Sequence, residues 1–161
     1  MRARIIAVGR LKAGPERTLC NDYLKRFAAT GRGIGLAWRD EIELDESRSS
    51  DAARRKAEEA TAISSKLEPG NTRLITLDER GKMLASEELA RLIGNWRDEG
   101  VSETAFVIGG PDGLDPAFAA TAHARIAFGR VTWPHRLVRV MLAEQLYRTA
   151  TILSGHPYHR A

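Results

Sequence analysis

The sequence predicts an α/β fold: a mostly parallel sheet with helices on both faces. Short apolar runs that end at glycine alternate five times with segments of helical periodicity, the pattern of βα units. Apolar residues make up 43% and charged residues 29% of the chain, a globular balance. At 161 residues the chain holds one ordinary core, so residues 1–161 read as a single domain. No internal repeat or low-complexity stretch divides it. No apolar run approaches the ~20 residues that span a bilayer. The N-terminal MRARIIAVGR lacks the long apolar stretch of a secretory signal. Cys20 is the one cysteine, which excludes an internal disulfide and a thiolate metal cage. The expectation is a cytoplasmic protein with no membrane partner.

The first strand is Arg4 to Val8, closed by Gly9. Pro15 opens a helix to Ala29, with Leu19, Tyr23, Leu24 and Phe27 at helical spacing, and Gly31, Gly33 and Gly35 end it. Leu36, Trp38, Ile42 and Leu44 mark a half-exposed second strand. Ser47 to Leu67 reads as a helix capped by its serines and Asp51, and its dense charge reads as a solvated face. Pro69-Gly70 stops it. Arg73 to Leu77 is the third strand, followed by a polar loop from Asp78 to Lys82. Ser86 is placed to cap the next helix, whose Leu89, Leu92, Ile93 and Trp96 share a face and whose stop is Gly100. Ala105 to Ile108 is the fourth strand. Asp115-Pro116 sets a cap and first position for a short helix. Ile126 and Phe128 mark the fifth strand, and the last helix runs from His135 to Ser154 with Gly155 as its stop.

In parallel sheets ligands bind beyond the carboxyl ends of strands, where the strand order reverses. That rule selects three loops, 77–82, 109–114 and 129–135. The run FVIGGPDGL at 106–114 lets backbone approach a ligand closely. It lacks both the G-x-G-x-x-G spacing and the Gly-Lys-Ser/Thr of a P-loop, and a plain strand-to-helix turn is the alternative. FGRVTWPH at 128–135 can present backbone donors and acceptors to a flat heterocycle while Trp133 or Val131 covers its face. The alternative there is a loop pinned by a core tryptophan.

The net charge of +4 favours polyanions, and the basic residues gather at the C-terminal end, where Arg136, Arg139, Arg148 and Arg160 face only Glu144. The tail GHPYHR at 155–160 carries two imidazoles, a phenol and a guanidinium, the groups of a nucleotide site more than of a solvated end. No carboxylate or cysteine stands near His156 and His159 in sequence to complete a metal site, so no metal is expected. His123 reads as a surface or packing residue. No Ser-His-Asp elbow or H-E-x-x-H is present.

Taken together, FVIGGPDGL at 106–114, WPH at 133–135, LVRVMLAEQLYRTATI at 137–152 and GHPYHR at 155–160 resemble the ribosomal RNA large subunit methyltransferase H family of SPOUT-class methyltransferases. Val8-Gly9, Tyr23-Leu24 with Phe27, and Leu74 to Asp78 with Gly81-Lys82 extend the resemblance over the whole chain. The resemblance implies a C-terminal deep trefoil knot, a homodimer and S-adenosylmethionine as methyl donor. It implies methylation of N3 of a pseudouridine in 23S rRNA of the assembled ribosome. It places the cofactor at Leu77, Gly109, Phe128, Gly129, Arg130, Val131, Thr132 and Trp133. Arg130 and Val131 stand where relatives often differ, so backbone contacts carry over there better than side-chain contacts.

The N3 position carries a proton that must leave before the nitrogen can attack. Arg148, Tyr158 and His159 are the residues expected to bind the nucleotide and assist that step, the guanidinium by stabilising the uracil anion and the imidazole by taking the proton. A salt bridge of Arg148 in the dimer or the knot, with Glu144 as a candidate partner, is the structural alternative. Arg136, Arg139 and Arg160 are expected to contact RNA phosphates, with the second subunit supplying part of that face. Two other readings stand beside this one: a non-catalytic nucleotide-binding domain of flavodoxin-like order that uses the same loops, and a ribosome-assembly factor without activity. The former expects a phosphate loop after the first strand, where GRLKAG at 9–14 is only a weak version.

Overall fold

The computed structural model describes residues 1–159, and Arg160 lies outside them. Five strands form one sheet, β1 (Arg2–Val8), β2 (Ala37–Leu44), β3 (Thr72–Met83), β4 (Glu103–Ile108) and β5 (Ala124–Ala127). Their order is β2-β1-β4-β3-β5 and every pairing is parallel. Five helices join or follow them: α1 (Pro15–Gly31), α2 (Ala52–Ser64), α3 (Ser86–Asp98), α4 (Pro116–Ala120) and α5 (His135–Ser154).

The two faces of the sheet bury separate apolar clusters. Leu24 and Phe27 of α1, Leu89 and Ile93 of α3, and Leu142 and Leu146 of α5 pack on one face, over Ile5, Ile75 and Phe106. Ile63 of α2 and Phe118 of α4 cover the other, over Ile6, Leu74 and Val107. The central strands β1 and β4 are therefore buried on both sides and read as continuous apolar runs.

Three local expectations are revised. The stretch 78–82, read as a polar loop, continues β3: after a register shift Lys82 pairs with Ile126 and Met83 with Ala127. Gly81 permits this, because a Cβ there would come within 2.6 Å of the Ile126 backbone. The cap of α3 is Ala85, whose amide donates to Glu88 at 2.8 Å; the Ser86 hydroxyl donates instead to Gln145 of α5. The charged helix is shorter than expected and begins at Ala52, with the Asp51 carboxylate accepting the Arg54 amide at 2.8 Å.

Arg139, expected on the RNA face, is only 3% exposed. Its guanidinium donates to Glu41 at 3.1 Å, to Glu43 and to the Gly9 carbonyl, and Arg17 of α1 binds the same two carboxylates. Burial works against the charge on Glu43, but the Leu11 amide and Arg139 more than offset it and hold its pKa below the usual carboxylate range. Arg139 thus ties α5 to the end of β1 and to β2. Three residues earlier, Arg136 is exposed.

His123 has a defined structural role at the start of β5. Its Nδ1 accepts the Leu74 amide at 3.1 Å while its own amide donates to the Leu74 carbonyl. Burial, with a smaller contribution from Arg73, lowers its pKa below the ordinary 6.5. The folded state therefore takes up this proton less readily than the unfolded chain. The contribution of His123 is complete above about pH 6.5 and declines as pH falls below that value. His123→Asn, which keeps an acceptor oxygen, is expected to flatten the decline of the urea midpoint between pH 7 and 5; an unchanged slope would reject this role.

Candidate active site

A cleft of about 480 Å³ opens at the carboxyl ends of β4 and β5, beside the part of β3 where its register with β5 shifts. That volume lies within the range of small-molecule sites. Two of its walls are the loops 109–114 and 129–135 that the strand-end rule selects; the third is the stretch 77–80, which lies within β3 and not in a loop. Leu77 ends the apolar part of β3, Gly109 follows β4, and Phe128, Gly129, Val131, Thr132 and Trp133 come from the β5–α5 connection. Arg130 is exposed and does not line the cleft.

Local backbone chemistry shapes each wall. Gly109 packs so closely that a Cβ would lie 3.0 Å from the Gly113 carbonyl carbon and from Leu114 Cγ. Gly110 and Gly113 close the loop through a backbone hydrogen bond of 2.9 Å. Gly129 has φ +129°, a conformation that L side chains rarely adopt. The turn it allows is fixed by Trp133, whose Nε1 donates to the Phe128 carbonyl at 3.2 Å. Trp133 is 40% and Val131 61% exposed, so Trp133 is not a core pin, and the two give the mouth an apolar surface.

Charged groups ring this surface. Asp78 pairs with Arg125 at 2.7 Å; burial raises its pKa, but the Arg80 amide and Arg125 outweigh that and leave it lowered. Lys56 of α2 and His135 at the start of α5 also line the cleft. Lys56 was hidden in a charge run that reads as solvated, and nothing in its spacing marks it. His135 ends a selected loop, and its residue type alone does not mark it as cleft lining.

Arg148, Tyr158 and His159 do come together, but away from this cleft. Arg148 Nε donates to Glu144 at 2.9 Å, and the Tyr158 hydroxyl donates to the same carboxylate at 3.0 Å. The Arg148 guanidinium lies 5.0 Å from the centre of the Tyr158 ring, which packs 4.6 Å from that of Tyr147. His159 Nε2 is 2.9 Å from Glu87 and its Nδ1 is 3.4 Å from Arg148. Burial, followed by hydrogen bonds to Tyr23 and Glu144, raises the Tyr158 pKa. The Arg148–Glu144 pair is thus formed. Val138 is the last α5 residue that lines the cleft, and ten residues, roughly 15 Å at 1.5 Å per residue, separate it from Arg148. Within one chain none of the three residues lines the cleft.

A family model described as "Predicted SPOUT methyltransferase" matches residues 1–159. The chain belongs to the SPOUT methyltransferase family. Its methyltransferase relatives include proteins named ribosomal RNA large subunit methyltransferase H. The one from Bradyrhizobium sp. is 56% identical over 161 residues, covering 100% of this chain and 99% of the relative. Those from Rhodopseudomonas palustris and Rhizobium meliloti are 55% and 54% identical, with full coverage of both chains. Among solved structures, this methyltransferase is similar to the SpoU methyltransferase AviRb from Streptomyces viridochromogenes in complex with AdoMet. That likeness has a TM-score of 0.41 at 10% identity, covering 90% of this chain and 56% of the other.

Proposed function

We propose that the chain methylates N3 of a pseudouridine in 23S rRNA of the assembled ribosome, in the cytoplasm, with S-adenosylmethionine as donor. The observation that carries the reading is full-length identity above half to relatives named for large-subunit rRNA methylation, together with the cleft. The residues present suit the donor. The Gly109 and Gly129 turns admit a flat heterocycle against backbone, and Leu77, Phe128, Val131 and Trp133 supply apolar walls. Bound there, the donor supplies an electrophilic methyl carbon on a sulfonium sulfur that leaves as a neutral thioether. The protein's remaining task is to place the nucleoside in line and to take up the N3 proton. In this reading Arg148 stabilises the anion left on the ring, Tyr158 stacks on it, and His159 accepts the proton.

The separation of cleft and cluster calls for a homodimer, in which the second subunit brings its Arg148–Tyr158–His159 cluster to the first subunit's cleft. An apolar hollow of about 450 Å³ between α1, α5 and the end of β3 supports this. Leu19 and Met83, 44% and 51% exposed, line it. Arg136 and Arg160 provide RNA phosphate contacts in the same assembly. The single domain 1–161 carries the trefoil knot of its class; the passage from the sheet edge at β5 to His135 beside Gly9 suits that threading.

The reading is tested by supplying labelled donor to assembled ribosomes and to free 23S rRNA. Label is expected on one pseudouridine of the assembled particle. Label on another nucleoside, or on free rRNA equally, would overturn it. Leu19→Glu is expected to give a folded monomer in light scattering with transfer lost; a fully active monomer would contradict the shared site.

A further inference from the structure

Helix α2 reads from its sequence as a solvated charge run, yet two of its side chains reach the glycine loop of the cleft. Arg55 Nε donates to Asp112 Oδ2 at 2.7 Å and Nη2 to Oδ1 at 3.1 Å, a two-pronged pair. Its Nη1 donates to the carbonyls of Ser49 and Ser50 at 2.9 and 3.0 Å. All three guanidinium nitrogens are thereby committed, between the segment preceding α2 and the tip of the loop that follows β4. One turn further along, Glu59 is buried beneath the same loop: it accepts the Ser47 amide at 3.0 Å, and a Cβ on Gly110 would lie 3.0 Å from its other oxygen. Asp112 itself lines the cleft, between Gly109 and Gly113.

We propose that Arg55 is a positioning residue for the methyl donor, acting through Asp112 to hold the 109–113 loop in its binding conformation. The proposal rests on the reading of this cleft as the donor site. Arg55 does not line the cleft, so its effect must pass through the loop. Gly109 and Gly110 are packed, but the exposed tip at 111–113 is held by this ion pair and one backbone bond, and loss of the clamp lets the tip sample conformations that do not bind. Affinity then falls in proportion to the bound-competent fraction. The pair is partly exposed, so it adds little to global stability.

The test is calorimetric titration of S-adenosylmethionine and S-adenosylhomocysteine into the full chain and its Arg55→Ala, Asp112→Ala and double variants, with melting temperatures in parallel. Each single substitution is expected to weaken binding roughly tenfold, and the double no more than either alone, because both break one contact. Melting temperatures should stay close to wild type, and Arg55→Ala should keep its turnover at saturating donor while its KM for the donor rises. Arg55→Lys, which cannot reproduce the fork, should recover only part of the affinity. Additive losses, unchanged affinity, or losses that track the melting temperature would overturn the clamp. Absence of binding by the wild-type protein would overturn the donor-site reading and the clamp with it, whereas intact wild-type binding with unaffected variants rejects the clamp alone.

Discussion

Truncation of Arg139 to alanine is expected to lower the stability of the fold by about 3–5 kcal/mol, the cost of breaking a buried ion pair by removing one partner. Arg17 and Arg139 balance Glu41 and Glu43, and the truncation leaves two carboxylates facing one cation at the junction of β1, β2 and α5. The Gly9 carbonyl also loses its guanidinium donor. Domains are stable by about 5–15 kcal/mol, so a loss of this size brings the chain near the threshold of folding. Urea unfolding of Arg139→Ala beside Arg136→Ala separates the two roles. The exposed Arg136 variant should keep its midpoint, while its binding to RNA weakens and the salt slope drops by about one. An Arg139 variant with the wild-type midpoint would show that the network does not hold the fold.

Leucine at Gly109 is expected to weaken donor binding by on the order of a hundredfold or more, about 2.7 kcal/mol. A Cβ at this position already meets Gly113 and Leu114 at 3.0 Å. A larger side chain therefore has to displace the loop or enter the cleft. Alanine needs a shift of only a few tenths of an ångström, so its effect should be milder, and the graded series Gly, Ala, Leu reports on space. Calorimetry with S-adenosylhomocysteine reads this without any RNA. Equal affinity across the series would place the donor elsewhere.

The βα alternation, the central strands and the helix starts at Pro15 and Pro116 were legible because periodicity and proline act locally. The cleft was legible because strand-end glycines mark where a parallel sheet admits a ligand. Four features were not. The continuation of β3 through 78–83 has no apolar alternation, since those residues are largely exposed, and only Gly81 hints at a close backbone approach. Arg139 carries the same charge as its exposed neighbour Arg136; Glu41 and Glu43, nearly a hundred residues earlier, decide that one is buried. Ser86 gave way to Ala85 as the cap because Gln145 offers its hydroxyl another partner. The contacts of α2 with the glycine loop depend on the sheet order, which no local pattern encodes. The tail was identified by its residue types, but its placement on Tyr147 and Glu144, far along α5 from the cleft, is a tertiary fact.

In the proposed dimer each active site joins the cleft of one chain to the Arg148–Tyr158–His159 cluster of another. This pairing is tested most directly by co-expressing Gly109→Leu and Arg148→Ala chains under two tags and purifying the dimer that carries both. Each variant alone should be inactive. In the mixed dimer one site combines an intact cleft with an intact cluster, and the other combines both lesions. About half of the wild-type rate of methyl transfer to ribosomes is expected from that mixed dimer. A mixed dimer as inactive as its parents would contradict the pairing, because a site built within one chain cannot be restored by a partner.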